Sequence, residues 1–234
     1  MSSYRRTIRA IFVATVIAAG GAGAAAEVAS AAQPSSVDIL FERKHLTNVN
    51  AGTDLVYKFD RSVSSPELLG QPFADEIKVE VKKVATDGTR SVVVKVFSGE
   101  RARDAHAIDD LTGNPVLVVF LDRAIASYMS VAGGKVSYLK DKFRTAMRER
   151  ATVDPVKVKL GDKIIDGYRV SVAPYSGDLN AAKMRGYENS KFSFIVCDSV
   201  PGQFVELLAT YENTAKGAPR LEERTLMVGA EVLK

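Results

Sequence analysis

The clearest pattern in the chain is an alternation of apolar and charged residues in its first half. In the segment IKVEVKKVA at 77–85 every second residue is apolar, which is typical of a strand with one buried face. Asp87 and Gly88 then predict a tight turn, after which residues 91–98 return as the partner strand. This part of the sequence therefore predicts a β-hairpin.

Further strands are predicted on both sides of this hairpin. Residues 156–172 form a second hairpin with a turn at Gly161 and Asp162, and Gly167 is interpreted as a β-bulge. The remaining predicted strands are short apolar or alternating segments, at 37–46, 55–62, 191–197, 203–211 and 220–228. The polar stretch 176–190 is expected to hold one short helix.

The middle of the chain changes from a strand period to a helical one. Asn114 followed by Pro115 is a typical helix start, and Gly133 with Gly134 is a typical stop. Apolar residues recur between them at steps of three and four, namely Leu117, Phe120, Leu121, Ala124, Ile125, Tyr128 and Met129. A second, more charged helix is predicted for 136–150, with Leu139, Phe143, Ala146 and Met147 on its inner side.

Strands in hairpin order, interrupted once by a pair of helices, favour an α+β fold over a parallel doubly wound one. We expect a large curved antiparallel sheet, an open half-barrel of about eight to eleven strands, wrapped over two or three helices. Such a sheet either fills its concave face with side chains or leaves a ligand cavity there.

The first 31 residues have the layout of a secretory signal peptide. Arg5, Arg6 and Arg9 precede an apolar run at 10–19, and Ala29-Ser30-Ala31 fits the small residues of a cleavage site. The run is shorter than the roughly 20 residues that span a bilayer. We therefore predict a periplasmic protein whose residues 32–234 form one domain, with no membrane span after cleavage.

Charge and cysteine content exclude several classes of protein. The whole chain carries a formal net charge of +4, and three of its arginines leave with the signal. Basic and acidic residues are interspersed, so we expect no nucleic-acid partner. Cys197 is the only cysteine, so no internal disulfide forms, and Asp198 beside it favours an inert, half-buried thiol.

No motif in the sequence defines a reaction. His106 lies within RDAHAIDD at 103–110, but this spacing matches no compact metal site, and a solvated loop is favoured over a metal centre. The Gly-x-Ser-x-Gly pattern of serine hydrolases is absent from residues 32–234, as are the patterns for phosphate loops, dinucleotide binding and Cys-x-x-Cys. We therefore predict no catalytic residues, no metal and no cofactor.

Aromatic residues on the predicted inward faces are the remaining candidates for function. Ligand sites are concave, largely apolar and contain few polar groups. We expect a cavity lined by Tyr57, Phe59, Phe120, Tyr128 and Phe143, with Arg61 or Arg123 at its polar ends. The alternative is that these aromatic residues form an ordinary core.

Two resemblances add to this reading. The segment GNPVLVVFLDR at 113–123 and the tripeptide VPG at 200–202 resemble a family of uncharacterised exported proteobacterial proteins. The order of hairpins, central helices and hairpins is also similar to the lipoprotein-carrier (LolA/LppX-like) half-barrels. That layout implies an unclosed antiparallel sheet that covers helices and shelters acyl chains.

Together these features favour a non-enzymatic periplasmic protein that binds an apolar ligand, such as a lipid or acyl chain, and serves envelope maintenance. The alternative is a structural or partner-binding module with a packed core and an envelope protein as partner. A third interpretation is a hydrolase with an unrecognised site.

Overall fold

The computed structural model of the chain describes residues 33–233. They form an α+β fold with a ten-stranded sheet and three α-helices, as the sequence predicts. The strands are β1 Asp54–Val63, β2 Phe73–Val84, β3 Arg90–Val96, β4 His106–Leu111, β5 Thr152–Leu160, β6 Lys163–Val172, β7 Lys191–Val196, β8 Phe204–Tyr211, β9 Leu221–Met227 and β10 Ala230–Val232. The helices are α1 Pro66–Leu69, α2 Val116–Ala132 and α3 Val136–Glu149. The signal-peptide prediction for residues 1–31 lies outside the described residues.

The ten strands form one open antiparallel sheet in the order β10-β5-β6-β7-β8-β9-β1-β2-β3-β4. Most neighbours in the sheet are also neighbours in sequence, as expected for hairpins. The pairing of β1 with β9, in which Phe59 lies opposite Thr225, joins the first and last parts of the described chain. The sheet is not closed into a barrel, and β10 and β4 are its two edges.

Helix α2 is attached to the sheet at its first turn. The side-chain oxygen of Asn114 accepts a hydrogen bond from the Val116 N–H at 3.1 Å, and its amide donates to the Tyr57 hydroxyl at 2.8 Å. Gly133 ends the helix with φ of 79°, a conformation that glycine adopts at little cost. The predicted start and end of this helix are therefore confirmed.

Helices α2 and α3 cover the inner face of the sheet through direct contacts between aromatic rings. Phe120 of α2 meets Phe194 of β7 edge to face, with 5.5 Å between ring centroids. Phe143 of α3 meets Phe192 of the same strand at 5.2 Å. Burying an aromatic side chain of this size stabilises the fold by about 1.5–3 kcal/mol, so these contacts hold the helices against the sheet.

The predicted strand at 37–46 is wrong. A π-helix occupies Asp38–Glu42 instead, and turns follow it. Ile39 and Leu40 are both buried although they are consecutive, whereas a strand would point them to opposite faces. The Ser35 hydroxyl accepts a hydrogen bond from the Asp38 N–H at 3.0 Å and favours the helical turn.

Two smaller expectations are also corrected. The segment around His106, expected as a loop, is edge strand β4, which is largely exposed. An exposed edge strand needs no apolar alternation, so its sequence pattern is weak. Gly167 forms no bulge with β5, because it pairs in continuous register with Val156. A Cβ atom there would lie 2.7 Å from the Val196 carbonyl oxygen, so glycine permits close strand packing.

Within residues 33–233 no single helix is long and apolar enough to cross a membrane. The bent pair of α2 and α3, at 117°, passes that test only when both helices are counted together.

Candidate functional site

The five aromatic residues predicted to line a cavity are all buried. Tyr57 accepts the hydrogen bond from Asn114 that fixes the start of α2. Tyr128 packs against Tyr175 with 4.1 Å between ring centroids. Its hydroxyl has no hydrogen-bond partner among the described residues, and burial raises its pKa above the usual value. Phe120 and Phe143 contact the strand residues Phe194 and Phe192.

The two predicted polar residues lie together in one buried ion cluster. Arg61 on β1 and Arg123 on α2 both donate to Oε1 of Glu223 on β9, at 2.5 Å and 2.9 Å. The side chain of Glu223 is only 2% exposed, and those of Arg61 and Arg123 are 12% and 19% exposed. Arg61 also donates to the carbonyl oxygen of Leu69 in α1 at 2.9 Å. The cluster thus ties the sheet to both α1 and α2.

Aromatic rings surround the guanidinium group of Arg123. Its central carbon lies 4.5 Å from the ring centroid of Phe59, 5.0 Å from that of Phe97 and 5.5 Å from that of Phe73. Such cation–π contacts stabilise a partly desolvated guanidinium. Burial lowers the pKa of Arg123, and the nearby Glu223 carboxylate opposes that change. Arg123 therefore serves as a structural cation that both the Glu223 carboxylate and the aromatic rings stabilise.

A depression with mainly apolar walls lies where α2, α3 and the segment before β1 meet. It has a volume of about 350 Å³, within the range of ligand sites. We call it the helix groove; its lining residues are Val37, Phe41, Val118, Leu121, Asp122, Ile125, Lys140, Phe143, Arg144, Met147 and Arg148. Of the seven residues predicted from the sequence, Phe143 belongs to this set.

The groove arises because α2 is apolar on more than one side. Leu117, Phe120 and Ala124 are buried against the fold, while Val118 is 60% exposed and faces the groove. The π-helix supplies Phe41, which is 50% exposed. Surface apolar residues that occur singly are ordinary, but two large ones on one concave surface make that surface a candidate binding site.

The rim of the groove is basic on the α3 side. Lys140, Arg144 and Arg148 lie four residues apart and so on one face of the helix. The single acidic side chain among the lining residues is Asp122, which pairs with Lys140 at 2.7 Å. The lining therefore carries an excess of positive charge.

A second depression, of about 530 Å³, is lined by residues of β5 and β6 around Gly167. Its charged groups neutralise one another locally, because Lys157 pairs with Asp166 at 2.7 Å and Asp198 pairs with Arg43. Its apolar lining consists of Pro155, Val156 and Tyr168, whereas the helix groove has seven apolar lining residues. We therefore regard the helix groove as the better candidate site.

The titratable residues near these surfaces do not form a reactive centre. Cys197 is fully buried, and burial, with the nearby carboxylates Asp198 and Asp166, raises its pKa to about 11. His45 is buried too; burial lowers its pKa, and Nε2 lies 2.8 Å from the Ile39 carbonyl oxygen. In residues 33–233 no three His, Cys, Asp or Glu side chains lie close enough to hold a metal ion.

Comparison with known proteins adds little to this description. No family model and no curated protein matches the chain. Among solved structures, the chain is similar to a LolA superfamily protein from Nitrosomonas europaea, with 10% identity over 86% of this chain and 95% of that chain. The TM-score of 0.22 is too low for this likeness to support a functional conclusion.

Sequence reasoning missed most of the groove. Leu121 and Ile125 belong to the predicted apolar stripe of α2. That stripe is wide enough to cover two surfaces of the helix, one that faces the sheet and one that faces the groove. The four-residue spacing of the basic residues on α3 is also visible in the sequence. The sequence predicts that Phe41 lies in a strand, so no signal in it places this residue beside the helices.

Proposed function

We propose that this protein is a non-enzymatic binding protein that holds one apolar chain, such as an acyl chain, in the helix groove. The observation that carries the proposal is the pair of half-exposed side chains, Phe41 and Val118, on the wall of a 350 Å³ depression. A bound chain would remove both from water.

The free energy that these two side chains are expected to contribute to binding is modest. Fully burying a valine or phenylalanine side chain stabilises by about 1.5–3 kcal/mol. Since Phe41 and Val118 are 50% and 60% exposed, their further burial contributes about 1–1.5 kcal/mol each. The ligand's own apolar surface adds to this, against the cost of immobilising it.

We propose further that the protein acts in the periplasm, in maintenance of the cell envelope. This rests on the signal-like layout of residues 1–31, with three arginines before an apolar run. Export would place the helix groove in the compartment where lipids cross between membranes.

A fluorescent fatty acid, cis-parinaric acid, tests the binding proposal. Its fluorescence should rise on titration into residues 33–234, and Val118→Glu should weaken binding at least tenfold, because it places a charge in the apolar wall. Val228→Glu is the matched control, since Val228 is 46% exposed and lies outside the groove. Absence of binding, or equal binding by both variants, would refute the proposal.

The packed concave face favours one second candidate, a partner-binding module without a small ligand. Phe120 and Phe143 contact sheet side chains directly, so the space expected for a ligand under the sheet is occupied at those positions. If cis-parinaric acid does not bind, the helix groove is better explained as a surface for a protein partner.

A further inference from the structure

We propose that the helix groove selects an amphiphile with an anionic head group, a carboxylate or a phosphate, over a neutral or cationic one. This inference depends on the proposed function, because it names the class of ligand that the groove holds. It rests on the charges at the rim and not on the apolar walls.

The basic residues of the rim differ in how far they are already neutralised. Lys140 pairs closely with Asp122, so it contributes little to attraction of a ligand. Arg144 lies 3.6 Å from Asp141, but both side chains are more than 60% exposed, and such pairs are weak. Among the ion pairs and hydrogen bonds of residues 33–233, none involves the side chain of Arg148.

Arg144 and Arg148 are therefore the groups available to a ligand. They lie one helical turn apart on α3 and both line the groove. Guanidinium groups bind carboxylates and phosphates through paired N–H donors, which makes two arginines in the lining of an apolar groove suitable for an anionic head group. Carboxylate and phosphate share this chemistry, so the ligands tested must separate them.

A structural role for Arg148 has to be separated from ligand binding. Arg148 lies in the last turn of α3, where a cation also stabilises the helix through the helix dipole. Thermal unfolding must therefore be measured for each variant. A comparison among ligands of equal chain length is insensitive to this effect, because all of them report on the same folded protein.

The experiment is competition against bound cis-parinaric acid at about pH 8, where a fatty acid is ionised. The competitors share one hexadecyl chain: hexadecanoic acid, hexadecyl phosphate, hexadecanol and hexadecyltrimethylammonium, each kept below its micelle concentration. We expect the two anions to displace the probe at about tenfold lower concentration than the alcohol. The cation should be the weakest, and added salt should reduce the difference.

A double variant tests whether the arginines cause this preference. Arg144→Glu combined with Arg148→Glu should abolish or invert the preference for anions while hexadecanol still binds. The matched control is Lys159→Glu with Lys163→Glu, which makes the same change in net charge at two exposed positions outside the groove. The control should keep the tenfold preference.

The possible results distinguish the two proposals. If the alcohol and the anions compete equally with wild-type protein, the head-group inference is wrong while apolar binding stands. If the Lys159 and Lys163 control loses the preference as the double variant does, attraction comes from overall charge and the inference is also wrong. If no hexadecyl compound competes and the probe itself does not bind, the proposed function fails. Preference for only one of the two anions identifies the source of the head group and supports the inference.

Discussion

Replacement of Glu223 by glutamine should strongly destabilise the fold. Glu223 is the shared acceptor for Arg61 and Arg123, and its side chain is almost completely buried. Glutamine has nearly the same shape, so Glu223→Gln removes a charge without leaving a cavity. Two guanidinium groups would then face each other without a counter-ion.

The size of the effect follows from burial. Removing one partner of a buried ion pair costs about 3–5 kcal/mol. Arg61 and Arg123 are 12% and 19% exposed, so water can partly solvate them, and we expect about 2–4 kcal/mol. For a chain of this length each 1 kcal/mol lowers Tm by about 2–4 °C, so the loss should be roughly 4–16 °C.

Thermal unfolding followed by circular dichroism measures this loss. The matched control is Glu212→Gln, since the pair between Glu212 and Arg220 is 45% and 64% exposed and should contribute about 0–1 kcal/mol. An apolar triple variant, Arg61→Met with Glu223→Leu and Arg123→Met, should recover much of the stability. A loss of Tm in Glu223→Gln no larger than that in Glu212→Gln would refute the reasoning.

Three further predictions concern His45, Cys197 and Gly167. Burial lowers the pKa of His45, so below about pH 6.5 the unfolded chain binds more protons than the folded one. The free energy of unfolding, measured by urea titration, should therefore decrease as the pH is lowered through that range. The decrease should be less steep in His45→Gln and as steep as in the wild type in His106→Gln; equal slopes in all three proteins would contradict this. With its pKa raised to about 11, Cys197 should resist iodoacetamide at about pH 8 until urea unfolds the protein, and rapid alkylation of folded protein would contradict its burial. Gly167→Ala should lower the free energy of unfolding by about 1–3 kcal/mol, because the added methyl group overpacks against Val196. Gly113→Ala should lower it less, since the nearest atom to an added Cβ there is 3.8 Å away. Equal urea midpoints for the two variants would count against the clash.

The fold class could be predicted because local patterns in this chain agree with its tertiary structure. The alternation at 77–85 and the Asp87-Gly88 turn give the hairpin of β2 and β3. Asn114 and Gly133 give the ends of α2. Edge strand β4 could not be predicted, because it pairs with only one neighbouring strand and is exposed. Its sequence therefore has no alternation of apolar residues.

The candidate site was harder to predict because it depends on packing between distant segments. The pattern of apolar residues along one helix cannot show which of two apolar sides of α2 faces the sheet and which faces solvent. The contribution of Phe41 depends on a π-helix, which burial of the consecutive residues Ile39 and Leu40 favours. The ion cluster likewise joins Arg61 and Glu223 across 162 residues of sequence.

The position of the bound chain is the central claim, and photo-crosslinking measures it most directly. A fatty acid with a diazirine on its chain would be bound to residues 33–234, irradiated, and the labelled peptides identified by mass spectrometry. We predict labels on residues of α2 and α3 that line the helix groove, above all Val118 and Met147, and their loss in Val118→Glu. Labels concentrated on Tyr57 and Phe59 would instead place the ligand between sheet and helices and contradict the account.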